Sequence, residues 1–156
     1  MSEHPVMLRP AYRSDVPALA ELEELCFRGD RLSSRSFRRL AASPAAVVLV
    51  GEKAARIVGC LVMLFRSGSR IGRIYSLAVH PEGRREGIAS RIIAGGEALA
   101  ADRGVSTVRL EVREDNCGAM EFYRRRGYRE FSCYDDFYQD GARALRLEKT
   151  IAVRMM

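Results

Sequence analysis

The alternation of apolar and polar residues divides the chain into short segments of two kinds. Three apolar runs that are rich in β-branched residues, 46–50, 57–65 and 71–79, follow one another with only short connections between them. Connections of this length join antiparallel neighbours, so the runs are predicted to form a three-stranded meander with its first turn at residues 51–55. A further short strand is predicted at residues 6–9.

Two helices are predicted ahead of this meander. The segment Ser14-Asp15-Val16-Pro17 combines a capping side chain with a proline in the first turn, which is typical of a helix N-terminus. Gly29-Asp30 is predicted to end this helix. Ser33 or Ser34 then caps a second helix, which stops before Pro44.

A strand, a glycine-containing loop and a helix follow one another between residues 74 and 104. The strand ends at His80-Pro81, because proline has no N–H to donate to a neighbouring strand. Residues 82–89 form a basic turn with two glycines. Apolar residues recur beyond it at the spacing of one helix face, and Gly104 follows the helix end as a C-cap glycine does.

This order of elements predicts an anion-binding site. The first amides of a helix have no partner within the helix, and the helix dipole adds positive charge there. Glycine lets the backbone approach a phosphate, and Arg84 and Arg85 supply forked donors, so the expected ligand is a diphosphate. The loop is neither a P-loop nor a dinucleotide-binding fingerprint. On the local pattern alone, an ordinary strand–helix connection is an equally good interpretation.

The next strand is predicted from strict alternation. Within residues 105–113, Val108, Leu110 and Val112 lie on one face and polar residues on the other. A helix separates this strand from the preceding one, so the two are predicted to be parallel neighbours.

The last part of the chain predicts one more helix and two more strands. Asp115 or Asn116 caps the helix, and Gly127 closes it. Residues 129–134 and 144–149 are predicted to form a terminal strand pair. Taken with the earlier segments, the pattern predicts a central mixed sheet with helices on both faces.

Several of these segments resemble one protein family. Arg84-Arg85-Glu86-Gly87-Ile88-Ala89 resembles the R/Q-x-x-G-x-G/A signature of the GCN5-related N-acetyltransferases (GNAT), and a strand ending Leu77-Ala78-Val79 precedes it as in that family. Residues 110–116, Phe122-Tyr123 and Gly127-Tyr128 resemble the branch that acetylates protein N-termini, the ribosomal-protein-alanine N-acetyltransferases. The resemblance implies a single domain over residues 1–156 with an α/β fold, in which a mixed, mostly antiparallel seven-stranded sheet is flanked by about four helices.

The resemblance also implies acetyl-CoA as co-substrate. In this family the strand before the signature loop and the strand after the following helix splay apart, which leaves backbone groups free for the pantetheine arm and the Leu77 or Ala78 amide as an oxyanion donor. Asn116 matches a residue that hydrogen-bonds this arm, although asparagine is also a good helix N-cap. The implied cofactor-binding residues are Leu77, Ala78, Val79, Arg84, Arg85, Glu86, Gly87, Ile88, Ala89, Ser90 and Asn116.

Two residues match the family's catalytic pair. Glu111 stands where the family has a general base that acts through water, and Tyr123 where it has the acid that protonates the leaving thiolate. The strand pattern alone favours a solvated charge for Glu111, and the helix pattern alone favours a packing role for Tyr123. The surrounding motif favours catalysis for both.

The implied acceptor is the α-amine of a protein or peptide, with ribosomal proteins among the candidates. An α-amine titrates near ~8 and a lysine near ~10.4, so an N-terminus is easier to deprotonate at neutral pH. Phe37, Phe137 and Tyr138 stand where acceptor contacts are expected, with core packing as the alternative for Phe37. The turn at residues 28–32 departs from the Pro-Trp-Ser type of the bacterial ribosomal-protein enzymes. Lysine, polyamine and aminoglycoside acceptors therefore stay open.

Composition narrows the remaining function classes. The net charge of +6 comes from arginine, since Lys53 and Lys149 are the only lysines. Four scattered cysteines and two histidines predict no metal site and no disulfide, and hence reduced thiols in a cytoplasmic protein. No apolar run approaches the ~20 residues that cross a bilayer, so no membrane partner is expected.

Two rival classes use parts of the same pattern. A non-catalytic CoA-binding module would keep the signature loop but has no use for the Glu111 and Tyr123 pair. An RNA- or ribosome-binding domain would use the arginines, but no motif with interleaved aromatic residues is present, so no direct nucleic-acid contact is expected. The pattern is equally consistent with a monomer and a homodimer.

Overall fold

The computed structural model describes residues 5–27, 29, 31–84 and 86–152. Its strands are β1 (Met7–Pro10), β2 (Ala46–Lys53), β3 (Arg56–Phe65), β4 (Ile71–Val79), β5 (Thr107–Arg113), β6 (Arg129–Tyr134) and β7 (Ala144–Thr150). Its helices are α1 (Val16–Cys26), α2 (Ser34–Ala41), α3 (Ile88–Asp102) and α4 (Cys117–Arg125). No helix in these described ranges combines the length and apolarity that a bilayer crossing requires.

The strands form one seven-stranded sheet in the order β1-β2-β3-β4-β5-β7-β6. The β2–β3–β4 meander is antiparallel, and β4 and β5 are parallel. Both were predicted, and the predicted fold class is confirmed. Ser33 caps α2 by accepting a hydrogen bond from the Ser36 N–H at 3.1 Å, and Asn116 caps α4.

Helices cover the two faces of the sheet unequally. On one face, α1 and α2 pack on β2, β3 and β4 through a cluster that includes Leu19, Phe37 and Val62. On the other, α3 and α4 pack through a larger cluster that includes Ile92 and Tyr123. The β5–β7 part of the sheet has a helix on the second face only, among the described elements.

The predicted turn at residues 51–55 is wrong. Strand β2 continues to Lys53, and the turn consists of Ala54 and Ala55, whose φ angles are 50° and 65°. Gly51 is a strand position that helix α3 approaches closely, because a Cβ there would lie 2.9 Å from Ile92 Cδ1. This glycine serves helix–sheet packing, and the chain reverses three residues later.

The parallel pair β4–β5 opens along its length. Pairing covers three positions, of which Arg73 opposite Arg109 is the last. Residues 74–79 of β4 and residues 110–113 of β5 do not pair with each other. A bulge at Tyr75 shifts the β3–β4 register at the point where the gap begins. The splay that the resemblance implied is therefore present in the fold.

Candidate active site

The signature loop leads from the end of β4 into the first turn of α3. Gly87 is the N-cap of α3 and has a φ of 76°, in the left-handed region that favours glycine. No side chain caps this helix, so its first N–H groups are not satisfied by a capping oxygen. Gly83 lets the loop pack on the helix, because a Cβ there would lie 2.7 Å from Ile88 Cδ1. The loop thus presents free amides beside the gap.

Charged side chains surround this helix start. Arg84 Nε donates to the Val79 carbonyl at 3.4 Å, while Arg85 lies outside the described residues. Glu86 forms an ion pair with Lys53 Nζ at 2.5 Å, so its carboxylate is compensated and its contribution to an anion site is its backbone. Lys53 was missed in the sequence because it belongs to another strand.

A second cation reaches the same helix from the residue that follows α4. Arg126 donates to the Ser90 hydroxyl and to the Phe122 carbonyl, the latter at 2.8 Å. Its guanidinium lies 3.7 Å from the centre of the Phe122 ring. The Ser90 side chain is therefore occupied by Arg126, a residue that sequence reasoning assigned no functional role.

One edge of β4 has no strand partner along the gap. Leu77, Ala78 and Val79 pair with β3 on one side, opposite Leu61, Cys60 and Gly59 respectively. The opposite edge of β4 at these residues faces the gap between β4 and β5. Backbone N–H and C=O groups inside a fold require partners, and an extended ligand with amide groups can supply them. The edge and the α3 amides together are suited to an extended ligand that carries amide groups and an anionic end.

Glu111 lies on β5 beside the gap. Its side chain is 7% exposed, and it accepts from Arg73 Nε at 2.8 Å and also from Arg73 Nη2. Arg73 also lies over the Tyr75 ring, 5.6 Å from its centre. The alternative of a freely solvated charge fails for Glu111, because this carboxylate is largely buried and is held by an ion pair.

Tyr123 lies on α4, beneath the opposite face of the same region. The residue is 8% exposed and makes edge-to-face contacts with Phe122 and Tyr128, at ring-centre distances of 5.1 and 5.5 Å. Burial raises the pKa of its phenol, against a smaller lowering by nearby Arg126, so the hydroxyl keeps its proton well above neutral pH.

The side chain of Tyr123 packs beneath the two strands that border the gap. Within the described part of the chain, Arg146 Nε is the one fully buried side-chain nitrogen or oxygen without a hydrogen bond. The Tyr123 hydroxyl is not in that set, and no hydrogen bond joins it to a described residue. Tyr123 shares its cluster with Leu110 of β5 and Leu77 of β4. Glu111 alternates with Leu110, so the two candidate catalytic groups approach the gap from opposite faces of the sheet.

The three predicted acceptor residues separate into two groups. Phe37 is 1% exposed and packs in the α1–α2 cluster. It is therefore a core residue, which was the alternative interpretation, and an acceptor cannot contact it. Phe137 is 41% exposed and stacks on Tyr134 with ring centres 5.6 Å apart. Tyr138 packs edge-on against Phe137. The last two remain surface aromatics on the β6–β7 connection.

Asn116 makes one of its two predicted contacts. Its side-chain oxygen accepts the Ala119 N–H at 3.1 Å, which is the N-cap bond of α4. The side-chain amide NH₂ is not used in this bond, so a contact with the cofactor arm stays a prediction.

A buried carboxylate near the gap was missed. Glu23 of α1 is 3% exposed and accepts from the Ser76 hydroxyl of β4 at 2.8 Å, next to the Tyr75 bulge. Burial raises the pKa of Glu23, while the hydrogen bond from Ser76 opposes that shift. A carboxylate on the apolar stripe of α1, between Leu22 and Cys26, was the signal that could have found it.

Several known proteins are similar to this chain in sequence, in fold or in both. The chain is 32% identical over 87 residues to mycothiol acetyltransferase from Clavibacter michiganensis, which covers 56% of the chain and 28% of that protein's length. It is 30% identical over 154 residues to N-alpha-acetyltransferase RimI from Mycobacterium tuberculosis, which covers 93% of this chain and 92% of that one. The crystal structure of the ribosomal-protein-S18-alanine N-acetyltransferase from Escherichia coli superposes with a TM-score of 0.85 at 19% identity, over 97% of each chain.

A family profile covers most of the chain. The profile described as the acetyltransferase (GNAT) family matches residues 16–128, a range that contains α1 to α4, the signature loop, Glu111 and Tyr123. The likeness to the Mycobacterium tuberculosis protein extends over nearly all of both sequences. The chain belongs to the acetyltransferase (GNAT) family.

Proposed function

We propose that this protein is an N-acetyltransferase that transfers the acetyl group of acetyl-CoA to the α-amine of a protein or peptide. The observation that carries the proposal is the gap between β4 and β5, with a shielded carboxylate on one face and a proton-retaining phenol on the other. Family membership supports acetyl-CoA as the co-substrate.

Three parts of the chain are suited to hold acetyl-CoA. The free amides at the start of α3 and the side chain of Arg84 would bind the diphosphate. The edge of β4 at residues 77–79, which has no strand partner although the Val79 carbonyl accepts from Arg84, would bind the pantetheine arm. When bound, this co-substrate supplies an acetyl group activated as a thioester.

Glu111 and Tyr123 divide the proton transfers. A protonated amine is no nucleophile, so Glu111 would take its proton through a water molecule, with Arg73 compensating the charge of the carboxylate. As the new C–N bond forms and the C–S bond breaks, Tyr123 would give its phenolic proton to the sulfur, and the surplus proton of the new amide nitrogen would return to the phenolate. The raised pKa of Tyr123 keeps that proton available at neutral pH.

Two observations support an N-terminal acceptor. Two relatives that match over most of this chain, one in sequence and one in fold, carry the names N-alpha-acetyltransferase RimI and ribosomal-protein-S18-alanine N-acetyltransferase. In addition, an α-amine with a pKa near ~8 gives up its proton at neutral pH far more easily than a lysine near ~10.4. We therefore place a protein or peptide N-terminus, a ribosomal protein among the candidates, ahead of lysine side chains and polyamines.

A peptide panel tests this proposal. Peptides with a free N-terminus, the same peptides with a blocked N-terminus and an internal lysine, and a polyamine are incubated with acetyl-CoA. Free thiol release measures turnover, and mass spectrometry locates the acetyl group. We expect acetylation of free N-termini. Acetylation of internal lysines or polyamine alone would overturn the acceptor assignment, and acetyl-CoA binding without any turnover would overturn the enzymatic one.

A further inference from the structure

The β5–β7 half of the sheet carries a row of charges on its uncovered face. Arg109, Glu111 and Arg113 alternate along β5 with buried residues that face α3 and α4. In the antiparallel β5–β7 pair, Glu111 lies opposite Arg146, and Arg109 lies opposite Glu148. Directly opposite residues share a face, so these side chains lie on one surface together with the candidate base.

Neighbouring arginines on this surface are matched by carboxylates. Arg109 pairs with Glu148 at 2.9 Å, Arg113 pairs with Asp140, and Arg73 pairs with Glu111. Arg146 differs from them, because no carboxylate of the described chain lies within ion-pair distance of it. Arg129, opposite Glu148 in the β6–β7 pair, also has no ion pair in the described chain, but of these two arginines Arg146 is the one that lies directly opposite Glu111.

Aromatic rings hold the guanidinium of Arg146 in place. Its Cζ atom lies 4.7 Å from the ring centre of Phe131 and 4.5 Å from that of Tyr134. These rings are 38% and 41% exposed. Arg146 Nε is fully buried without an acceptor, whereas its two terminal nitrogens are outside that buried set and donate to no described residue. A guanidinium that lies against two rings and whose terminal nitrogens donate to no described residue is suited to a carboxylate, which it can bind through two parallel hydrogen bonds.

The position of Arg146 relates it to the acceptor chain. Residues directly opposite in an antiparallel pair have Cα atoms about 4.5–5.5 Å apart, and an extended peptide rises about 3.3 Å per residue. An acceptor whose amine lies at Glu111 would therefore bring the side chain of its second or third residue to Arg146.

We propose that Arg146 is a specificity-determining residue that binds a carboxylate side chain at the second or third position of the acceptor polypeptide. This proposal rests on the proposed N-terminal acetylation. The exposed rings of Phe131 and Tyr134 add apolar contact for the acceptor backbone. A polypeptide fits this surface better than a nucleic acid, because Arg73, Arg109 and Arg113 are already matched by carboxylates and leave little net charge for a phosphate backbone.

Matched peptides test the proposal. Four acceptor peptides carry Asp or Asn at position two, or Glu or Gln at position three, in an otherwise constant sequence, and kcat/KM is measured for each with the wild-type protein and with Arg146→Gln. The amide peptides cannot form the charge-assisted pair with Arg146. We therefore expect the wild type to prefer the acidic peptides roughly tenfold in kcat/KM, mainly through a lower KM. Arg146→Gln is expected to lower kcat/KM for the acidic peptides to the value for the amide peptides.

Two further variants separate specific binding from net charge and from folding. Arg125→Gln removes the same charge from α4, where Arg125 pairs with exposed Glu121, and is expected to keep the acidic preference. Arg146→Lys keeps the charge but loses the two parallel donors of the guanidinium. We therefore expect it to retain about a third of the preference for acidic peptides or less. Thermal melting of all three variants checks that the fold survives.

The outcomes are distinct. Equal turnover of acidic and amide peptides by the wild type overturns the role of Arg146 and leaves the acetyltransferase proposal intact, as does an equal loss of preference in Arg125→Gln. No acetylation of any peptide overturns the proposed function and this inference with it. Inhibition by single-stranded RNA that Arg146→Gln relieves, without an acidic-peptide preference, assigns the surface to RNA and also overturns the inference.

Discussion

The two halves of the sheet are built differently. In the β1–β4 half, helices cover both faces, and consecutive residues of β3 from Cys60 to Met63 are all at most 4% exposed. In the β5–β7 half, burial alternates strictly along β5, with Leu110 at 1% and the polar residues between the buried positions facing the uncovered surface. Continuous burial makes a strand a packing element, whereas alternation leaves one face free for polar groups.

This contrast indicates that the covered half of the sheet stabilises the fold, whereas the gap and the open face carry the candidate catalytic groups. We expect substitutions in the covered half to lower the free energy of unfolding, and substitutions at the gap and on the open face to lower the rate. The following predictions test that division.

The largest effect is expected at Glu111. Glu111→Gln removes the proton acceptor and keeps the shape, so kcat/KM should fall by about 10²–10⁴, a typical contribution of a general base. Steady-state thiol release with an acceptor peptide measures it. The matched control is Glu148→Gln, on the same face and paired with Arg109 at 2.9 Å, for which activity should stay within about threefold. Equal losses in both variants would show that the whole face, and not one base, supports turnover.

The next effect is expected at Tyr123. Tyr123→Phe deletes only the hydroxyl, and the rate should fall by a factor on the order of 10². The loss is limited because water can in part protonate a leaving thiolate of ordinary basicity in place of the phenol. The raised pKa of Tyr123 means that the wild type should keep its activity to higher pH than an ordinary tyrosine would allow. A pH–rate profile measures both. Tyr12→Phe, at a 56% exposed residue, is the control. Full activity in Tyr123→Phe would remove the phenol from the mechanism.

A packing substitution tests the covered half. A Cβ at Gly96 of α3 would overlap Leu61 Cδ2 of β3, and Leu61 is 0% exposed, so it has no free space to move into. Gly96→Ala should therefore destabilise the fold by about 1–3 kcal/mol in urea unfolding. Gly118→Ala on α4, where the nearest atom would lie 3.9 Å away, should instead be neutral or stabilising by up to ~1 kcal/mol. A neutral Gly96→Ala would show that the helix–sheet contact is loose.

The smallest effect is expected at Asp15, also in the covered half. Arg9 Nη1 donates to it at 2.7 Å and holds the pKa of this carboxyl below its ordinary value. A lowered pKa contributes stability that is present above the unfolded-state value near ~4 and is lost as the pH falls through the lower folded-state value. Asp15→Asn should cost about 1–2 kcal/mol at pH 7, since Arg9 keeps Glu52 as a second partner at 2.9 Å.

Urea unfolding at pH 7 and near pH 3 checks the linkage at Asp15. The difference between wild type and Asp15→Asn should shrink at the lower pH. Asp135→Asn, at a side chain that is 80% exposed and paired with Arg143, should change stability by less than about 0.5 kcal/mol at either pH. A difference that stays constant with pH would mean that the ionisation of Asp15 does not carry its effect.

Local patterns were sufficient to predict most of the elements. The strict alternation of β5, the proline after β4 and the serine before α2 each act within a few residues, so their consequences follow from neighbouring positions alone. The order of strand, helix and strand was also sufficient for the parallel β4–β5 pair. The signature loop was found in the same way, since the glycine at the α3 N-cap is a local requirement of its φ angle.

Contacts between distant segments were not predictable from the amino-acid sequence. The pairing of Glu111 with Arg73, the burial of Glu23 under Ser76 and the close approach of Ile92 to Gly51 all join residues on different elements. Each depends on strand register and helix position, which are set by packing over the whole sheet and have no local signal. The pattern along the chain thus specified which elements form and where an anion can bind, whereas three-dimensional packing decided which charges are shielded, which are paired and which face is left open.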